Sequence, residues 1–301
     1  TAHINGLYDG TTNAAISSGS NMDYELASTS TICYNGVDNQ KISGYGNGIA
    51  TATKHKYGSL EIAFNGTADS EYSSLENDLE VRNVITLTGG ELKLNGHTLT
   101  GELITATSGY VKSEENNAVN NSKLRLAYTP TNKNLTFPFG KNSSTYIPVS
   151  INITNNPGTG YITVSTRGTG ENNTPLPGLD NVAAIPTINP GGADVSTSHV
   201  IDRWWEVNAP GVTATYTLRY AGDENTTAGS VSGGTFNVQQ WNGSNFTKVN
   251  STGNGVTTGI GTITATLNNV SGPLVLSSGS ASLPIKLLEF TAKLKENYVL
   301  I

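Results

Sequence analysis

Groups that could ionise, ligate or attack are scarce in this chain. It has 4 His and 1 Cys in 301 residues, and only 13% of its residues are charged. His3, His55, His97 and His199 lie far apart, and none has the HxH or HExxH spacing that turns two imidazoles toward one metal ion. His97, in Asn95-Gly96-His97, is expected at a surface corner. Cys33, in Thr31-Ile32-Cys33-Tyr34, reads as a small buried hydrophobe within a strand, and a single cysteine forms no disulfide within the chain. The sequence contains no Gly-x-Ser-x-Gly nucleophile elbow and no phosphate-cradling glycine loop. Carboxylates stand side by side at Glu114-Glu115 and Asp223-Glu224. Glycoside hydrolysis needs two carboxyls roughly 5–10 Å apart across a cleft, so these neighbours are expected to be solvated loop charge. No catalytic residue and no cofactor is expected. Calcium in the Asp- and Asn-rich loops is conceivable, but no D-x-D-x-D-G loop supports it.

Aromatic residues offer a different chemistry. Trp204, Trp205 and Trp241, with the 13 Tyr, could stack on sugar rings while Asn, Asp and Gln bind hydroxyls. Neighbouring strand residues point to opposite faces, so one of Trp204 and Trp205 should be core and the other at least half exposed. The competing expectation is that the outer indole is covered by the fold.

The elements that must position these residues are all β. Gly, Ser, Thr and Asn dominate, and Thr, Val, Ile and Tyr suit a half-buried pleated surface, while Gly and Asn suit tight turns. No long stretch repeats apolar residues at a helical period. The apolar content of 36% comes in short alternating runs, which argues against disorder. A net charge of −6 without a basic face argues against nucleic acid, and no apolar run reaches the roughly 20 residues of a membrane-spanning helix. Thr1-Ala2-His3-Ile4-Asn5 has neither the basic nor the apolar region of a signal peptide, as expected of a mature exported chain.

Residues 1–123 read as a β-rich region that resembles a β-solenoid. Val84 to Gly90, Glu91 to Gly101 and Glu102 to Val111 are short strands broken at Gly or Asn-Gly corners. The acidic stretch from Glu71 to Glu80 is expected to be a short helix or a solvated loop. Residues 124–280 read as β-sandwich, with a long connector near 166–198. Its strands include Leu124 to Tyr128, Tyr161 to Ser165, His199 to Val207, Ala214 to Tyr220, Phe236 to Trp241, Gly261 to Leu267 and Pro273 to Leu276. Residues 281–301 form an apolar linking strand.

Within residues 124–301, an ordered set of motifs resembles a module of the large secreted proteins that Bacteroidetes export through the type IX secretion system. Phe137-Pro138-Phe139-Gly140 precedes Tyr146-Ile147-Pro148-Val149. Asp202-Arg203-Trp204-Trp205-Glu206-Val207 resembles the family's "R-Y/W-W-x-V" strand, and Tyr220 with Glu224 and Gln240-Trp241-Asn242-Gly243 follow in order. Leu283-Pro284-Ile285-Lys286-Leu287-Leu288-Glu289-Phe290-Thr291-Ala292-Lys293 resembles the segment "LPVxLLxFxAK". In that family more chain and a sorting domain usually follow this segment. The resemblance implies an extracellular or cell-surface protein used in adhesion or matrix construction.

Leu287, Leu288, Phe290, Tyr298, Val299, Leu300 and Ile301 make the end of the chain too apolar to hang free in water. They are expected to form an assembly strand that adds to a neighbour's sheet edge and builds a filament if the contact does not close into a ring. The expected function is an extracellular structural or adhesive protein, a self-assembling fibre subunit whose partners are itself or neighbouring surface modules. The alternative is a carbohydrate-binding module of a secreted polysaccharide-processing protein.

Overall fold

In the computed structural model, the residues described are 2–4, 26–36, 39–42, 56–64, 72–114, 122–155, 157–169, 200–225, 236–243, 246–249, 251–253, 255–278, 293–295 and 298–300. The fold is all β. Among these residues the single helical element is a 3-10 turn at Gly222–Glu224, and no helix is long and apolar enough to cross a membrane.

The first eleven strands are β1 (Ala2–Ile4), β2 (Thr31–Tyr34), β3 (Gln40–Ile42), β4 (Lys56–Tyr57), β5 (Ser59–Ala63), β6 (Tyr72–Leu75), β7 (Leu79–Gly89), β8 (Glu91–Lys93), β9 (Thr98–Ala106), β10 (Tyr110–Lys112) and β11 (Lys123–Tyr128). They alternate between two parallel sheets. β1, β2, β5, β7, β9 and β11 build one face, and β3, β6, β8 and β10 build the other. Each turn of chain thus lays one strand on each face, the geometry of a parallel solenoid. The register stacks like on like: Ile32, Leu60, Ile85 and Ile104 form one ladder, and Leu79, Leu99 and Leu124 another. At one corner Asn95 and Gly96 both take the left-handed conformation (φ 53° and 82°). The His97 amide then closes the turn on the Leu94 carbonyl at 2.9 Å.

The acidic stretch is not a helix: Glu71 lies outside the described residues, and Glu76 to Asp78 are a short bend between two strands. It supplies β6 and the start of β7, because Leu75, Leu79 and Val81 point into the solenoid core. The carboxylates point outward and pair between rungs, Glu76 with Lys41 at 3.2 Å and Glu80 with Lys56 at 3.1 Å.

The strands that follow are β12 (Asn134–Phe137), β13 (Gly140–Asn142), β14 (Thr145–Tyr146), β15 (Val149–Ile153), β16 (Gly160–Gly168), β17 (Val200–Ala221), β18 (Phe236–Trp241), β19 (Phe246–Val249), β20 (Ser251–Thr252) and β21 (Ile260–Ser278). Their ladder pairings are antiparallel. β11 joins the two regimes. One edge pairs parallel with β9 and the other antiparallel with β16. Residue 124 therefore lies inside a strand that belongs to both regions, and a single 15-stranded sheet runs through the junction.

Two expected pairs of strands are each one long strand. β17 absorbs both His199 to Val207 (from Val200 on) and Ala214 to Tyr220, and β21 absorbs both Gly261 to Leu267 and Pro273 to Leu276. The register slips between Ala209 and Thr213, where Gly211 (φ 70°) faces a corner that also holds Asn269 (φ 50°). Before this corner β17 pairs with β16, and after it with β15. Strands that switch sheets at a bulge make the corners of a sandwich. Here Trp205 and Val207 from one side share a core cluster with Tyr216 and Leu218 from the other, and the same cluster reaches back to Ile32.

The expected connector starts inside β16, which runs on to Gly168; residues 170–199 lie outside the described residues. At the far end β22 (Lys293–Lys295) and β23 (Tyr298–Leu300) pair antiparallel with each other. Leu287, Leu288, Phe290 and Ile301 of the expected assembly strand lie outside the described residues.

Candidate functional site

Trp204 and Trp205 do point to opposite faces, but neither is exposed: they retain 1% and 0% of their surface. Trp205 enters the main core. Trp204 enters a smaller cluster with Val200, Phe246 and Val275, and Trp241 lies against that cluster with its ring 5.0 Å from that of Phe246. The β18–β19 hairpin therefore covers the indole expected to be half exposed. Only Trp241 keeps part of its surface in water, so the three indoles form no stacking platform.

Of the adjacent carboxylates, Asp223 is exposed as expected and Glu115 lies outside the described residues, but the other two differ from expectation. Glu114 and Glu224 are not solvated charge, because both bind Arg203, whose side chain is fully buried. The Arg203 Nε donates to Glu224 Oε2 at 2.8 Å and its Nη2 to Oε1 at 2.6 Å. Nη2 also donates to Glu114, and Nη1 donates to Thr166 Oγ1 at 3.0 Å. Lys141 reaches Asp223 at 2.9 Å and Glu224 at 3.5 Å, and of these carboxylates only Asp223 is exposed. Burial alone would lower the pKa of the guanidinium, but the two carboxylates outweigh this and hold it above the ordinary value. The cluster ties Glu114, just after the last strand of the second solenoid face, to the start of β17 and the turn that ends it. Sequence reasoning missed it, although the signal was there. A cation between Ile201 and Trp204, in a strand buried on both faces, has to be matched by carboxylate.

Across the junction, the outward face of the sheet forms a groove of about 720 Å³. Its lining includes Lys123 and Arg125 from β11, Tyr161, Thr163 and Ser165 from β16, and Glu206 and Asn208 from β17. The period-2 alternation of these strands explains the set, because Leu124, Ile162, Val164 and Val207 turn inward. Lys123 pairs with Glu206 at 3.4 Å. The Arg125 guanidinium lies 4.1 Å over the Tyr161 ring. The Tyr161 hydroxyl donates to Glu102 at 3.3 Å, and both its burial and that carboxylate push its pKa up. Ser165 is 1% exposed, and its hydroxyl has no hydrogen-bond partner.

Among the described lining residues Glu206 is the one carboxylate, and Lys123 neutralises it. The groove thus presents donors and an aromatic edge rather than an acid–base pair. No group of three or more His, Cys, Asp or Glu gathers among the described residues to hold a metal ion. No family model, curated protein or solved structure matches the chain.

Proposed function

We propose that the chain is an extracellular structural or adhesive protein of a cell surface, a module of the kind Bacteroidetes export by type IX secretion. The observation that carries this reading is the unbroken sheet and core running from solenoid into sandwich, braced by the buried Arg203 cluster. Such a unit is a stiff spacer whose two regions share β11 at their junction, which suits a chain that must project from or connect surfaces. Within that brace Arg203 and Glu224 hold each other and the two Trp fill two clusters. Assembly is assigned to residues 284–301, where β22 and β23 form a hairpin of their own.

The test is to label intact cells that make the protein natively with immunogold raised against this chain, and to compare wild type with a 284–301 deletion at the same locus by negative-stain electron microscopy. Surface label, with assemblies that vanish in the deletion while the β circular dichroism signal persists, is the expected result. Unlabelled intact cells, or assemblies unchanged by the deletion, would overturn the reading.

A further inference from the structure

The groove across the junction has the composition of a glycan subsite. In the middle of the groove floor, Leu124 to Leu126 of β11, Thr163 and Val164 of β16, and Val207 and Asn208 of β17 are each paired with a neighbouring strand on both sides. Strand addition is therefore blocked along this stretch, and a ligand there is met by side chains. What faces outward is hydroxyl, amide and cation: Thr98, Thr163, Asn208, Lys123 and Arg125. The two cations differ. Lys123 is neutralised by Glu206, whereas Arg125 is exposed, stacks on Tyr161 and forms no ion pair among the described residues.

The Ser165 hydroxyl adds an independent observation. A buried polar group with no partner is costly, and this one sits in the groove wall where a ligand hydroxyl would satisfy it. Tyr161, 37% exposed, supplies aromatic surface for the apolar side of a sugar ring.

We propose that this groove binds an acidic polysaccharide, with sugar hydroxyls on Ser165, Thr163 and Asn208 and a carboxylate or sulfate on Arg125. A guanidinium suits such planar oxyanions because its donors form a fixed fork. The inference names a ligand for the surface protein proposed above and rests on that reading only for where the ligand is met.

Affinity electrophoresis of the purified full chain tests it, with polygalacturonate, dextran sulfate and neutral dextran in the gel at about 0.15 M salt. Retardation by polygalacturonate or dextran sulfate but not by dextran is expected, and the responsive polymer identifies the anion. Arg125→Gln should weaken that binding about tenfold and Ser165→Ala by a few fold, as loss of a charge-assisted and of a neutral hydrogen bond would. Lys248→Gln, on exposed β19 away from the groove, should leave it unchanged. Near-UV circular dichroism checks that each variant is folded. No retardation by any polymer, equal retardation by dextran, or equal losses in Arg125→Gln and Lys248→Gln would overturn the proposal. Immunogold labelling of cells would stand in each of these cases, so the two readings fail separately.

Discussion

Arg203 and Glu224 meet as a two-bond fork at 2.8 and 2.6 Å, one near the start of β17 and the other in the turn that ends it. The pair folds the end of β17 back against its own beginning, and the Ala221 amide donates to the same Glu224 carboxylate at 3.0 Å.

Removing one partner of such a pair leaves the other charged in a dry site. Arg203→Met should cost about 3–5 kcal/mol, the range for breaking a buried ion pair. The triple change Arg203→Met, Glu114→Gln, Glu224→Gln should recover much of that loss, because no bare charge remains. Urea unfolding measures both. Equal stability of the single and triple variants would mean that the cluster acts by packing alone.

The buried indoles make a separate prediction. Trp204→Ala and Trp205→Ala should each destabilise the chain by about 3–5 kcal/mol, as large cavities in a core do. Tm and urea midpoints report this. If either variant kept wild-type stability, the burial described here would be wrong for that residue.

Cys33 is 2% exposed on β2, and desolvation, aided by Glu61, pushes its thiol up to about 11 from an ordinary 9.0. The folded state therefore holds the proton longer than the unfolded state. The contribution of this group is present in full below pH 9.0 and is lost as pH rises through about 11. Relative to Cys33→Ala, wild-type stability should fall across that window. The native thiol should also resist a disulfide reagent at pH 8 and react once unfolded, as a colorimetric thiol assay would show.

The all-β fold was legible because it rests on local alternation. Leu124, Leu126 and Tyr128 turn inward while Lys123 and Arg125 turn outward, as period 2 requires. The Asn95-Gly96 corner was legible for a similar reason, since few other dipeptides take two left-handed residues in a row. Long-range features were not legible. Nothing local to Trp204 says that Phe246 will cover it, and nothing local to Glu114 says that Arg203 will lie beside it. The fusion of two expected strands into β17 was hidden by Pro210-Gly211, which reads as a turn and acts instead as a sheet-switching corner. The groove residues belong to five strands, β9, β11, β16, β17 and β21, a relation that no single stretch of sequence encodes.

A growing stack of parallel rungs carries a hazard, because its last strand invites a further strand from any chain with the same repeat. In this molecule β16 takes up that last edge, and it runs in the opposite direction. The edge is occupied rather than merely reversed: β11 is bonded to β16, and β16 in turn to β17, so another chain's rung finds no free donors and acceptors beside β11. End-to-end growth is blocked on this face of the solenoid, and an ordered polymer of the protein must propagate through other surfaces.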